Sequence, residues 1–182
     1  MSQKKENYTL LIEKLDRFIR KYYTNKLIRG SLYFVGSVLA VFLLFSFLES
    51  QYYFSTSVRK ILFYGFILLS LTGFIYWIVM PASKYFRLGK TITHEQAAKI
   101  IGDHFQDIQD KLLNILHLRK QMEGTEVKEL IYAGIEQKSE KINPVPFRKA
   151  IDFKKNRKYL RYALMPLLLL LVLLFAAPSM IT

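Results

Sequence analysis

The chain contains no cysteine among its 182 residues. This absence excludes disulfide bonds, thiolate nucleophiles and metal sites built on cysteine, although it does not identify a compartment. Acidic side chains are also few, because 14 Asp and Glu stand against 27 Lys and Arg, which gives a formal net charge of +13. A chain this basic can bind nucleic acid, but it contains no recognisable nucleic-acid-binding module.

Three long stretches lack charged residues altogether. They are Ser31–Leu48, Ile61–Ala82 and Ala163–Thr182. A helix rises 1.5 Å per residue, so about 20 apolar residues cross the hydrocarbon core of a bilayer. We therefore predict a multi-pass membrane protein with a transmembrane hairpin over residues 31–82 and a third transmembrane helix over 163–182. The alternative, buried helices of a soluble protein, is weaker because three such uncharged stretches are unusual in a soluble chain.

Small residues lie within the first two stretches. Gly36 and Ala40 are four residues apart, and Gly65, Ser70 and Gly73 follow in the second stretch. Small residues let helix backbones approach closely, so this common pattern gives weak support for close packing within the hairpin. No Lys, Arg, Asp, Glu or His lies inside a stretch, which disfavours a pathway for ions or protons.

The first 30 residues do not have the pattern of a signal peptide, which needs an apolar stretch directly after a short basic region. We therefore expect the first span to remain in the mature protein. Apolar residues at three- and four-residue steps predict an amphipathic helix over Asn7–Arg29. Two placements for this helix stay open, the membrane interface and the surface of a helical domain. The apolar residues are Tyr8, Leu11, Ile12, Leu15, Phe18, Ile19 and Tyr22.

The distribution of charge predicts an orientation. Residues 1–30 contain eight Lys and Arg and residues 83–162 contain seventeen, whereas residues 49–60 contain two and none follows Arg161. The positive-inside rule places the segments rich in Lys and Arg in the cytoplasm. We therefore expect a cytoplasmic N-terminus, a cytoplasmic 83–162 segment and a C-terminus on the opposite side. Anionic lipid of the inner leaflet is the partner expected for these charges.

Helix signals dominate the segment 83–162, and no strand pattern is visible. Thr93 and Gln96 form a capping box that predicts the start of a helix. Gly102 either interrupts this helix or permits close packing, and Gly124–Thr125 separates it from the next. Asn143–Pro146 ends the following helix, because a proline disfavours helix in the residue before it. We predict a small antiparallel helical domain and an all-α fold.

Two sequences begin like catalytic motifs but remain incomplete. Gly89–Thr91 resembles the end of a phosphate-binding loop, but Lys84 stands where the motif requires glycine. His94-Glu95 begins like a zinc-protease helix, but Ala98 stands where the second histidine is needed. The chain also has no GxSxG elbow and no evident pair of carboxylates. We therefore expect no enzymatic activity, no cofactor and no metal site.

A basic stretch leads into the third span, where Asp152 is the one acidic residue. Each Lys or Arg near an anionic leaflet contributes about 1 kcal/mol to binding. Two overlapping interpretations follow: a site for lipid headgroups that fixes the depth of the span, or a signal for topology alone. The candidate headgroup-binding residues are Arg148, Lys149, Lys154, Lys155, Arg157, Lys158 and Arg161.

Several phrases together resemble one protein family. They are IEKLDRFIRKYYTNKLIRGSLYFVG, ITHEQAAKIIGDHFQDIQDKLLNILHL, INPVPFRKAIDFKKNRKYLRYAL and the leucine-rich span ending FAAPSMIT. They resemble the N-terminal membrane region of large envelope proteins of Gram-negative bacteria, known as domain of unknown function 4175. The resemblance implies an inner-membrane anchor module of a longer protein, with a periplasmic region after Thr182. It implies no catalytic residues.

These observations favour a non-catalytic anchor or scaffold in the bacterial inner membrane. Two alternatives remain open. The chain could be a subunit of an oligomeric transporter or channel, or a transmembrane sensor or regulator. Membrane lipids are the expected partners, together with a second copy of the chain or other proteins, and nucleic acid is not.

Overall fold

The computed structural model describes residues 6–86, 88, 91–121 and 128–176. Within these ranges every regular element is a helix, which confirms the all-α prediction for the described residues. Two short 3₁₀ turns, Phe147–Ala150 and Phe153–Asn156, precede the last helix. The helices are α1 (Glu6–Tyr52), α2 (Thr56–Tyr85), α3 (His94–Gly102), α4 (Gln106–Gln121), α5 (Lys128–Ile142) and α6 (Arg157–Ala176).

The chain divides into two compact units. The first, here named the helical unit, comprises Met1–Tyr22 and Lys90–Asp152. The second, the span unit, comprises Tyr23–Gly89 and Phe153–Thr182. The helical unit thus includes the N-terminal segment, which the sequence analysis kept separate, and it ends at Asp152 rather than at residue 162.

Three long apolar helices are present, as predicted. The helix α1, the helix α2 and the segment Phe147–Ala176 are each long and apolar enough to cross a membrane. The most apolar window of α2 contains no buried residue, so its large hydrophobic side chains face outward. Contact of this apolar surface with water is unfavourable in free energy, whereas contact with lipid acyl chains is not. The third helix reaches Ala176, and residues 177–182 of the predicted span lie outside the described residues.

The first predicted helix and the first predicted span form one continuous helix of 47 residues. Gly30 lies at the expected boundary but does not break the helix, because glycine costs a helix interior only about 1 kcal/mol. The hairpin turn is therefore short and begins at Tyr53, which has a left-handed φ of 44°. Arg59 lies 2.7 Å from Glu49 across this turn.

The apolar stripe of α1 packs inside the helical unit, which is one of the two placements that the sequence left open. Leu11, Leu15 and Phe18 are fully buried. Ile101, Leu112, Ile115 and Ile135, from the later helices of the same unit, are fully buried too. Each such side chain contributes about 1.5–3 kcal/mol by leaving water. The N-terminal helix is therefore part of the hydrophobic core of this unit.

Local sequence signals in the helical unit are confirmed. The N–H of Gln96 donates to the hydroxyl of Thr93 over 3.2 Å, and the N–H of Thr93 donates to the side chain of Gln96 over 3.0 Å. The helix α3 ends at Gly102, where a Cβ atom would lie 2.5 Å from the Cβ of Gln109. Both roles considered for Gly102 therefore hold. The helix α5 ends at Ile142, directly before the proline-containing break. The predicted break at residues 124–125 lies outside the described residues.

A π-helical turn, Ile75–Val79, widens α2 just before Pro81. Proline has no N–H to donate to the carbonyl four residues earlier, which here belongs to Trp77. The N–H of Met80 donates to Ile75, five residues back, as a π turn requires. A Cβ atom on Gly30 of α1 would overlap the carbonyl oxygen of Trp77. Glycine at this position therefore permits α1 and α2 to approach closely.

Of the small residues expected to pack within the hairpin, Gly73 does so, since a Cβ atom on it would lie 3.6 Å from the Phe34 ring of α1, whereas Gly36 approaches the third helix most closely. A Cβ atom on Gly36 would lie 3.2 Å from the carbonyl oxygen of Tyr162 and 3.3 Å from the Cα of Ala163, both in α6. Ala40 is exposed. Small residues indicate a close approach but do not specify which neighbour approaches, and the closest backbone approach within the hairpin is at Gly30.

Candidate functional site

All seven basic residues that the sequence singled out are exposed. The structure does not gather them on one element. Arg148 and Lys149 lie on the turn Phe147–Ala150 of the helical unit, where buried Phe147 and Ile151 anchor the backbone. The other five belong to the span unit: Lys154, Lys155, Arg157, Lys158 and Arg161.

Lys21 holds the turn that carries Arg148 and Lys149. Its ammonium group donates to the carbonyl oxygen of Arg148 and, over 2.9 Å, to that of Ile151. Burial lowers the pKa of Lys21, and the nearby charge of Arg148 lowers it further, whereas Asp152 opposes this shift. The backbone of the turn is thus satisfied from α1, and both cationic side chains remain directed outward.

Two contacts attach the start of the third helix to α1 in the span unit. Asn156 is 7% exposed and donates to the side-chain oxygen of Asn25 over 2.7 Å. The ring of Tyr159 lies 5.0 Å from the ring of Tyr33, and Tyr33 lies 6.2 Å from Trp77 of α2. Tyr33 therefore contacts one aromatic side chain from each of the other two helices. This cluster was not predictable from the sequence, because aromatic residues are frequent throughout the spans.

Two cations flank the Tyr159 ring. The guanidinium carbon of Arg29 lies 5.8 Å from the ring centroid, and the ammonium nitrogen of Lys158 lies 4.9 Å from it. Both distances fall in the range of cation–π attraction. Lys158, which the sequence had singled out, is thus brought beside Arg29, which it had not.

A cavity of about 430 Å³ lies between α1 and α2, and we name it the basic cavity. Lys26 and Arg29 of α1 and Lys84 of α2 line it, and no carboxylate of the described residues does. Its remaining lining residues are Gly30, Tyr33, Tyr76, Trp77, Met80 and Pro81.

An apolar groove of about 540 Å³ adjoins the basic cavity on the same two helices. Tyr76 and Trp77 line both spaces. Its other lining residues are Phe34, Ser37, Val38, Gly65, Leu68, Leu69, Ser70, Thr72 and Gly73.

A sequence signal for the basic cavity did exist. Lys26 and Arg29 precede the first uncharged stretch by less than two turns, and Lys84 directly follows the second. An antiparallel hairpin brings these two ends together. From the sequence, the three cations were interpreted only as part of the charge bias and, for Lys84, as a departure from the phosphate-binding motif.

Two of the three histidines in the helical unit lie beside different carboxylates. His94 Nε2 lies 3.0 Å from a carboxylate oxygen of Asp16, and His117 Nε2 lies 4.0 Å from one of Glu95. Within the described residues, no group of three His, Cys, Asp or Glu could hold a metal ion. Of the incomplete phosphate-binding motif, residues 89 and 90 lie outside the described part of the chain.

A buried carboxylate, Glu136, lies at the N-terminal end of α1. It is 4% exposed and accepts the N–H of Tyr8 over 3.3 Å. The first N–H groups of a helix have no partner within the helix, so this hydrogen bond stabilises the start of α1. Burial raises the pKa of the neighbouring Tyr132 hydroxyl, and Glu136 raises it further. The hydrogen bond from Tyr8 thus attaches the start of α1 to α5.

Comparison with known proteins adds no family. No family model, curated protein or solved structure matches the chain. The resemblance to the large envelope proteins therefore stays a prediction.

Proposed function

We propose that the chain is a non-catalytic anchor and scaffold module of the bacterial inner membrane. The observation that carries this proposal is the presence of three long apolar helices whose flanking Lys and Arg concentrate in residues 1–30 and 83–162. Lipid is the environment in which such exposed apolar helices are stable. The family resemblance extends the proposal to a larger envelope protein with a periplasmic region after Thr182.

The charge bias supports an orientation with the helical unit in the cytoplasm. The hairpin turn is the segment on the opposite side, and only Arg59 and Lys60 within it are cationic. Arg59 is paired with Glu49, which further reduces the positive charge there. The resulting asymmetry between the two sides is the pattern that the positive-inside rule describes.

Contacts in the helical unit support a scaffold role. Lys14 of α1 donates to the carbonyl oxygen of Asn143, and the Asn143 side chain donates to the carbonyl oxygen of Asn7 over 3.3 Å. These bonds join chain segments that are about 130 residues apart. The segment before the first span and the segment between the second and third spans thus form one folded unit.

Two polar side chains within the spans favour a scaffold over a transport pathway. The hydroxyl of Ser37 donates to the carbonyl oxygen of Phe34 over 3.0 Å, and that of Thr72 donates to Leu68 over 2.8 Å. Both donors are therefore satisfied within their own helices. Neither hydroxyl therefore has its hydrogen available for a polar solute, although both side chains line the apolar groove.

Membrane extraction and product size test this proposal. A tag placed at the N-terminus in the native gene should yield a protein that stays with the membrane fraction after washing at alkaline pH. Its mass should clearly exceed the 21.4 kDa of this chain. Release by the alkaline wash would contradict membrane insertion, and a product of the smaller mass would contradict the larger envelope protein.

A further inference from the structure

We propose that the basic cavity and the apolar groove together bind one anionic phospholipid. The phosphate would lie among Lys26, Arg29 and Lys84, and one acyl chain would lie in the groove. This inference rests on the proposed function, because it requires the span unit to be in a membrane. The site is new relative to the seven basic residues predicted from sequence, since none of them lines the basic cavity.

Charge is the first reason for an anionic ligand. Three cationic side chains line a cavity of about 430 Å³, and no carboxylate in the described part of the chain shares the lining. Cationic side chains that face a common space repel one another. A phosphate bound among them offsets this repulsion, because its oxygens accept charge-assisted hydrogen bonds from the cations. Basic pockets between transmembrane helices on the cytoplasmic side suit anionic lipid headgroups for this reason.

Aromatic side chains fix the position of these charges. Tyr33 and Trp77 form one wall of the cavity, and such residues prefer the headgroup level of a bilayer. Arg29 lies over the ring of Tyr159, which restricts where its guanidinium can go. Gly30 brings the two helices together at this level, so the cationic side chains converge on one narrow space.

The apolar groove selects a lipid over a free phosphate. It continues from Tyr76 and Trp77 along the same face of α1 and α2, and its lining is mainly apolar. Gly65 leaves space at its far end, since a Cβ atom there would meet nothing within 4 Å. Twelve residues separate Gly65 from Trp77. This interval spans about 18 Å of helix, which is somewhat more than the roughly 15 Å of hydrocarbon in one leaflet. Inorganic phosphate has no apolar part that could occupy this groove.

The single tryptophan provides a direct readout, because Trp77 lines both spaces. The full chain is reconstituted in phosphatidylcholine vesicles that contain a fixed fraction of phosphatidylglycerol. Two samples are compared: the acyl chains of phosphatidylglycerol carry bromine in one, and those of phosphatidylcholine carry it in the other. Bromine quenches tryptophan fluorescence on contact. We expect brominated phosphatidylglycerol to quench Trp77 in excess of its mole fraction. Equal quenching by the two lipids at equal mole fraction would overturn the site.

Matched variants identify the charges responsible. Lys26→Gln and Lys84→Gln together should reduce the preference for phosphatidylglycerol by about fivefold for each cation removed. Lys138→Gln and Lys141→Gln remove the same charge from exposed positions of α5 that neither line the cavity nor belong to the seven candidate headgroup-binding residues, and they should leave the preference unchanged. If the two double variants lose the preference equally, the attraction is a property of the basic surface and the site is refuted.

Two further experiments test the groove and distinguish a lipid phosphate from free phosphate. Gly65→Leu should weaken quenching by brominated phosphatidylglycerol, because the side chain would fill the groove. Inorganic phosphate at millimolar concentration should not displace the lipid, and displacement would instead indicate a site for free phosphate. Absence of quenching by either brominated lipid would show that the span unit is not inserted, which contradicts the proposed function rather than this site.

Discussion

Replacement of Leu15 by alanine tests whether the N-terminal helix is part of the core of the helical unit. Leu15 is fully buried, and a buried Leu→Ala substitution costs about 2–5 kcal/mol because it removes apolar contact and leaves a cavity. Leu130 is the matched control, since it lies in α5 of the same unit and is 74% exposed. Leu130→Ala should change stability by no more than about 0.5 kcal/mol.

Hydrogen exchange of the purified full chain provides the assay. The reporter is α4, whose Leu112 and Ile115 are fully buried in the same unit as Leu15. A loss of 2 kcal/mol raises the population of the open unit about 30-fold, so its protected amides should exchange at least that much faster. Leu15→Ala should therefore accelerate exchange in α4, and Leu130→Ala should not. Equal exchange in the two variants would refute the inclusion of α1 in this core.

Three further substitutions test separate contacts. Gly30→Ala should destabilise the packing of α1 on α2 by about 1–3 kcal/mol, because the added Cβ atom overlaps the backbone of Trp77. Gly65→Ala is the control and should not destabilise this packing. Thermal unfolding in detergent, followed by tryptophan fluorescence, compares the two variants. Thr93→Ala should cost the helical unit about 1 kcal/mol, measured by exchange of the first amides of α3. The pKa of Tyr132 is raised in the folded chain, so its contribution to the free energy of unfolding is fully present below the usual tyrosine pKa and is lost as the pH rises through the raised value. Tyr132→Phe should therefore reduce the loss of stability that the helical unit shows above pH 10.

Features that depend on neighbouring residues in sequence were predictable. The three uncharged stretches, the capping box at Thr93 and the proline-containing break after Ile142 each required only a short window of sequence. The continuous course of α1 was less evident, because a change from amphipathic to fully apolar composition resembles a boundary. Hydrogen bonding along the backbone does not depend on which side of the helix is apolar, so the helix continues through this change.

Features that depend on which helices meet were not predictable. The close approach at Gly36 was assigned to the wrong neighbour, and the one at Gly30 was missed, because glycine spacing does not specify a partner. The basic cavity requires the register between residues 26–33 and 76–84, which depends on the π turn before Pro81. The seven predicted basic residues are close in sequence but fall into two groups, one in each unit. Arg148 and Lys149 precede the buried Ile151 and belong to the helical unit, and the other five follow it and belong to the span unit.

The orientation of the helical unit in the membrane is the central claim, and labelling of single cysteines tests it most directly. The chain has no cysteine of its own, so Ser55→Cys in the hairpin turn and Lys120→Cys in α4 each introduce one thiol at an exposed position. In intact spheroplasts, a membrane-impermeant maleimide should label Ser55→Cys, and it should label Lys120→Cys only after lysis. Labelling of Lys120→Cys in intact spheroplasts would place the helical unit outside the cytoplasm and contradict the account.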